Sequence, residues 1–181
     1  MSKRKIDQQL NRLDQSLEQL IALLSTYSSE QLNRKPAPEA WSAMQVVNHL
    51  LMAETGSAYY LRKKLSDPDN LSNLSKAGLG TAFRNNLLKL SLWVPYVKFK
   101  APPMVSTDKL PLVSERDVVF EQWKTARKDL RAYLATLPEA IFAQEAYRHP
   151  RAGRITIGHM LEFFEAHFNR HLKQIKRTLA R

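Results

Sequence analysis

The chain has 181 residues, 44% of them hydrophobic and 25% charged, with five glycines and no cysteine; this suits one globular, helix-compatible domain over 1–181 and excludes disulfides, thiolate ligands and a cysteine nucleophile. Its formal charge of +11 is spread as +3 over residues 1–66, +3 over 67–113 and +5 over 114–181, whereas a nucleic-acid surface concentrates lysine and arginine on one face, so no specific nucleic-acid partner is expected. No apolar run approaches the roughly 20 residues that cross a bilayer, and the start lacks an apolar signal core, so the expectation is a cytoplasmic protein with no membrane partner.

The first predicted helix carries Ile6, Leu10, Leu13, Leu17, Leu20 and Leu24, a four-and-three spacing that makes a bundle-type stripe. Lys3, Arg4 and Lys5 lie at the positive end of its dipole, which predicts a frayed first turn. Two prolines in Arg34-Lys-Pro-Ala-Pro-Glu-Ala then disfavour helix. Ser42 predicts the start of a second helix as its N-cap, with Gln45 completing a capping box and Trp41 placed to staple onto Val46. This helix is expected to run to about Ser66, before Asp67-Pro-Asp-Asn. His49 lies about 60° outside the edge of its apolar arc, and Glu54 falls inside the arc, where a buried carboxylate needs a partner.

Residues 67–113 form an excursion between the second and third bundle helices: a polar loop, a helix from about Thr81 to Trp93, and an extended run toward Pro111. Long connections of this kind often cover a site, which makes Trp93, Tyr96 and Phe99 candidates for that role beside plain packing. Ser114 is the expected N-cap of the third helix, with Asp117 three positions on and Val113 and Val118 as staple residues. Its stripe reads Val119, Trp123, Ala126, Leu130, Tyr133 and Leu137, which leaves Arg116, Lys124, Arg127, Lys128 and Arg131 on a solvated face. Pro138 ends the pattern, and Arg148-His-Pro-Arg-Ala-Gly-Arg reads as a turn. Thr156 caps the last helix, whose inward stripe is Ile157, Met160, Leu161, Phe164, Phe168, His171, Ile175 and Leu179. The expected fold is an all-α four-helix bundle.

His167 and His171 stand one turn apart on this last helix, close enough for both imidazoles to reach one metal ion. A pair at this spacing is equally compatible with hydrogen-bonded core histidines. His49, on the inward flank of another helix, strengthens the metal reading, because side chains converging from bundle helices commonly build metal sites.

The segments Trp41-Ser-Ala-Met-Gln-Val-Val-Asn-His-Leu-Leu-Met-Ala-Glu54, His149-Pro-Arg-Ala-Gly-Arg and Ala166-His-Phe-Asn-Arg-His-Leu-Lys-Gln-Ile175 resemble the DinB/YfiT family of metalloenzymes, which shows W-S, H-L-x-x-x-E and H-x-x-x-H-x-x-Q-I in that order. The resemblance covers nearly the whole chain. It implies a four-helix bundle with a divalent metal held by three histidines, corresponding to His49, His167 and His171. His149 and His159 fall outside that triad. Many relatives carry Glu where this chain has His159, so roles around the ligands do not transfer position by position.

Three neutral imidazoles leave an ion's charge uncompensated and coordination positions open. Zinc and nickel suit imidazole, and iron or manganese is compatible with it. With Phe168, Asn169 and Arg170 between the paired histidines there is no HExxH glutamate, which argues against peptidase chemistry. Glu54 is the best acidic candidate for a general base, although a structural partner in the core is the stronger reading of that residue, and Gln45 is placed to orient the base or a water. The better understood members of the family resemble thiol transferases using low-molecular-weight thiols. The resulting expectation is a metal-dependent thiol S-transferase or hydrolase acting on a small molecule, with a non-catalytic metal-binding or stress-response module as the alternative and a homodimer left open.

Overall fold

The computed structural model describes residues 2–93 and 110–180; Tyr96, Phe99 and the extended run lie outside them, as does the Trp93 side chain. The long helices are α1 (Lys3–Leu24), α3 (Ala43–Leu65), α6 (Arg116–Thr136) and α7 (Ile157–Leu179), with shorter α2 (Ser29–Asn33), α4 (Pro68–Ser72) and α5 (Leu79–Trp93) between them. Two three-residue strands, β1 (Tyr147–His149) and β2 (Gly153–Ile155), pair antiparallel just before α7. Gly153 closes this hairpin with φ of 70°, a left-handed conformation that only glycine enters without a side-chain penalty.

α1 packs against α6 and α7, and α3 packs against the same two helices. α1 and α3 therefore stand diagonally across the bundle, as do α6 and α7. Pairwise contacts give the directions. Gln9 reaches Gly158 and Arg12 reaches Glu165, so α1 and α7 are parallel. Asp7 meets Arg131 while Glu18 meets Lys124, so α1 and α6 are antiparallel. Glu54 meets Arg127 and Arg62 meets the Asp129 carbonyl, so α3 and α6 are parallel.

That last pairing explains the excursion. Two parallel neighbours cannot be joined by a tight turn; the chain must travel back about 35 Å, the length of a 23-residue helix. Bundles with such long crossovers are a known alternative to simple up-and-down order. α5 lies in this crossover and packs on α7 and β2. Its Asn85 and Lys89 donate to Glu162 and Leu88 is buried in the core, while Leu79, Phe83, Leu87 and Leu90 are exposed, so a mixed polar and apolar side faces the bundle.

Every member of the expected α1 stripe is buried, and Ser2 caps this helix by accepting from the Lys5 amide, so α1 begins at Lys3 in place of a frayed turn. Ser42 and Gln45 form the expected capping box, and Thr156 caps α7. The start of α6 differs. Its N-cap is Glu115, with no side-chain cap bond, and Val113 and Val118 are exposed. Ser114 instead ties three elements: its amide donates to Asn33, its carbonyl accepts from Asn33, and its Oγ accepts from Asn48 of α3 at 2.9 Å.

The buried face of α6 is Val119, Phe120, Trp123, Arg127, Leu130 and Leu134; Val119, Trp123, Leu130 and Leu137 of the expected stripe are buried as read, while Ala126 and Tyr133 are half-buried and their neighbours Arg127 and Leu134 lie deeper. Arg127, expected in solvent, is 4% exposed. Its Nη2 donates to Glu54 Oε1 at 2.8 Å and its Nε to Glu54 Oε2 at 2.9 Å, its Nη1 donates to the Leu13 carbonyl, and Trp123 Nε1 donates to Glu54 Oε2 at 2.8 Å. This polar knot links α1, α3 and α6.

Candidate metal centre

α3 and α7 run antiparallel, which brings the start of one beside the latter half of the other. His49 projects from the second turn of α3 and is 6% exposed; His167 and His171, one turn apart on α7, are half-buried. The three rings form a triangle, with centroids 5.1 Å apart for His49 and His167, 4.9 Å for His49 and His171, and 4.5 Å for His167 and His171. One nitrogen from each lies within 4.8 Å of the others. The structure thus brings together the three histidines that the resemblance implied.

His49 Nε2 and His167 Nε2 are 3.2 Å apart. An ion holding two imidazoles at about 2.0–2.1 Å in tetrahedral array sets their nitrogens about 3.3 Å apart, so this separation fits a shared divalent ion. His171 Nδ1 lies 2.9 Å from Gln174 Oε1, which accepts its proton and leaves the His171 Nε2 lone pair available. Gln174 is the Q of the motif Q-I, and this bond gives it a physical task.

Burial and neighbouring imidazoles keep the set uncharged. Burial lowers His49 to about 4. It also lowers His171 to about 3, with help from His49 and Arg170. His167 lies well below the ordinary histidine value through burial first, then His171, His49, His149 and Arg170. At neutral pH all three therefore present lone pairs without displacing a proton.

Trp41 does more than staple the helix: its ring lies 5.0 Å from that of His49, against the same apolar cluster as Val46. Phe163 stacks on His167 at 5.1 Å with planes 16° apart, and it also meets His149 at 4.5 Å. His149 is more than a turn residue. It is buried in β1, and its Nδ1 accepts from the Arg151 and Ala152 amides, both at 3.2 Å, so the proton is on Nε2. His159 sits in the first turn of α7, beside Glu162 and Lys89 and outside the triangle.

Glu54 lies about 140° around α3 from His49, with both oxygens engaged by Arg127 and Trp123. The position serves as a core partner, the structural alternative weighed for this residue. Gln45 likewise spends its side-chain oxygen on the Ser42 amide. The sequence reads Trp41 as a staple first, with a role in the site as the lesser alternative; Phe163 and Gln174 were not singled out as parts of the centre. Periodicity could have flagged the last two, since Phe163 is four before His167 and Gln174 three after His171.

The profile of the DinB superfamily matches residues 12–175. The YuaE protein of Bacillus subtilis (strain 168) is 30% identical over 154 residues, spanning 84% of this chain and 86% of its own length. Among solved structures, YfiT from Bacillus subtilis, described as a probable metal-dependent hydrolase with an unusual four-helix bundle topology, superposes with a TM-score of 0.60 at 19% identity, covering 98% of this chain and 87% of that one. With the crossover bundle, the histidine triangle and a match spanning most of its length, this chain belongs to the DinB superfamily.

Proposed function

We propose that this protein is a metal-dependent hydrolase whose divalent ion, zinc or nickel by ligand preference, is held by His49, His167 and His171. The observation that carries the reading is the set of three uncharged imidazoles from two helices, with the two Nε2 atoms 3.2 Å apart. When bound, a divalent ion on three neutral nitrogens supplies Lewis acidity and lowers the pKa of water or a thiol held at its open positions.

The chain's own groups do the rest. Gln174 fixes the His171 tautomer, Phe163 and Trp41 hold two rings from behind, and the low proton affinity of the histidines keeps them as ligands at neutral pH. Glu54 ties α3, the helix that carries His49, to α6 through Arg127.

Thiol S-transfer is the second reading, and one observation favours it: Glu54, the acid on the helix that carries His49, has both oxygens engaged by Arg127 and Trp123 and is not placed to take a proton from water. A thiol, with an ordinary pKa of about 8.5, needs less help toward its nucleophilic form than water does. The discriminating experiment presents the zinc-loaded protein with activated esters and amides, with and without a low-molecular-weight thiol. Turnover without thiol supports hydrolysis, and turnover only with thiol, giving a thioester and releasing the activating group, supports transfer. Loaded protein inert in both arms would favour the non-catalytic binding module.

A further inference from the structure

We propose that α5 docks this protein on the surface of an anionic lipid bilayer, with its outer face entering the interface and the neighbouring β1–β2 hairpin meeting the headgroups; the inference stands apart from the metal centre.

The outer face of α5 is apolar, where a helix on a protein surface turns polar residues to the water. At 100° per residue, Thr81, Asn85 and Leu88 share the inner side, and all three are buried. Leu79, Phe83, Leu87 and Leu90 fall within about 80° of one another on the opposite side, between 55% and 92% exposed, with exposed Asn86 at the edge of their stripe. The four run along about 16 Å of helix. Large apolar side chains grouped in this way on a surface mark a contact site, whereas single ones do not.

The charge beside the stripe selects its partner. Neither α5 nor the β1–β2 hairpin contains an acidic residue. The carboxylates that face α5 are already engaged: Glu145 by Arg84, and Glu162 by Lys89 at 2.8 Å. Arg84 also donates to the Arg154 carbonyl at 2.9 Å, which holds the hairpin against α5. There Arg148 and Arg154 stand directly opposite each other across the strands, both exposed, a pairing of like charges that an anion would relieve. A second copy of this chain would bring the same hairpin and a formal charge of +11 to the contact, so charge opposes self-association there. An anionic bilayer complements both features, because its surface potential attracts basic groups within a Debye length while its boundary with the acyl chains takes up Leu and Phe. No helix among the described residues is long and apolar enough to cross a membrane; the contact is with the surface alone, and it replaces the expectation of no membrane partner, which weighed only spanning and signal segments.

The test cosediments the full-length protein with phosphatidylcholine vesicles, plain or carrying about 30% phosphatidylglycerol. The anionic vesicles are expected to bind at least about tenfold more tightly, and the preference should shrink as salt rises. Combining Phe83→Ser with Leu87→Ser should weaken binding to anionic vesicles at least about tenfold while helical circular dichroism is retained. Arg148→Gln with Arg154→Gln should weaken it roughly five- to twentyfold and leave binding to plain vesicles unchanged. Equal binding to both vesicle types, no binding to the anionic ones, or anionic binding untouched in the Phe83 and Leu87 variant would each overturn the inference. So would a dimer in analytical ultracentrifugation that the same variant converts to monomer, since a second copy would then cover the stripe.

Discussion

Glu54 and His49 are both buried on α3, and their surroundings are finished in opposite ways. Around Glu54 every charged atom meets a partner: Arg127 supplies three nitrogens to Glu54 and the Leu13 carbonyl, and Trp123 supplies a fourth donor. Around His49 the side chains are uncharged and incompletely paired, with His49 Nδ1 buried and lacking a hydrogen-bond partner. The first set saturates its own chemistry and joins helices. The second keeps lone pairs pointed at one another, which stabilises the fold little until something positive is placed among them. Self-sufficiency marks the structural group, and incompleteness marks the functional one.

Breaking the ion pair should have the largest effect on stability. Arg127→Met leaves a buried carboxylate without its cation and is expected to cost about 3–5 kcal/mol in urea unfolding. Combining it with Glu54→Gln, which still accepts from Trp123, should recover a large part of that loss. If the double variant is no more stable than the single one, Glu54 and Arg127 do not act as a closed pair.

Acid should weaken the histidine side of the molecule. Burial holds His149 at about 4, below the 6.5 of an unfolded histidine. The unfolded chain then binds the extra proton, so this contribution is complete above pH 6.5 and is lost as pH falls toward 4, by roughly 3 kcal/mol for this one group. Urea midpoints of metal-free protein measured from pH 7.5 to 4.5 should show the decline, and His149→Asn, which can still accept from the hairpin amides, should remove this group's share of it while the lowered His49, His167 and His171 keep theirs. An unchanged slope would place the proton uptake elsewhere.

A smaller effect separates ligand from support. Gln174→Ala removes the acceptor that orients His171 and should weaken metal binding about 10- to 100-fold while leaving metal-free stability nearly unchanged. Equal affinity in a competition with a chelating dye would show that Gln174 has no such role.

Local rules made much of this legible in the sequence. The α1 stripe and the caps at Ser42 and Thr156 depend on residues within a few positions of one another, and all three appear as read. Arg127 did not, because the helix face it occupies is chosen by what α6 packs against. The face turns only enough to bury Arg127 and Leu134 more deeply than Ala126 and Tyr133, and a carboxylate inside the α3 arc was the signal that a cation was needed. Ser114 shows the same override, since its hydroxyl serves Asn48 on α3 instead of its own helix. The capping box at Ser28 and Gln31, which starts α2, is a readable signal left unread, and the Asp67-Pro68 opening of α4 is one read as polar loop. Three-residue strands are too short for alternation to show, so the β1–β2 hairpin read only as a turn. The histidine pair was visible in its spacing; that His49 joins it depends on α3 and α7 being antiparallel neighbours, which spacing does not encode and the family resemblance implied.

Metal content measured by elemental analysis on untagged protein, beside His49→Ala, His167→Ala and His171→Ala, tests the central claim most directly. The account predicts about one divalent ion per chain in the parent protein after zinc or nickel loading, lost in each variant while helical circular dichroism is retained. A parent protein that takes up no ion, or a variant that keeps a full complement, would contradict it.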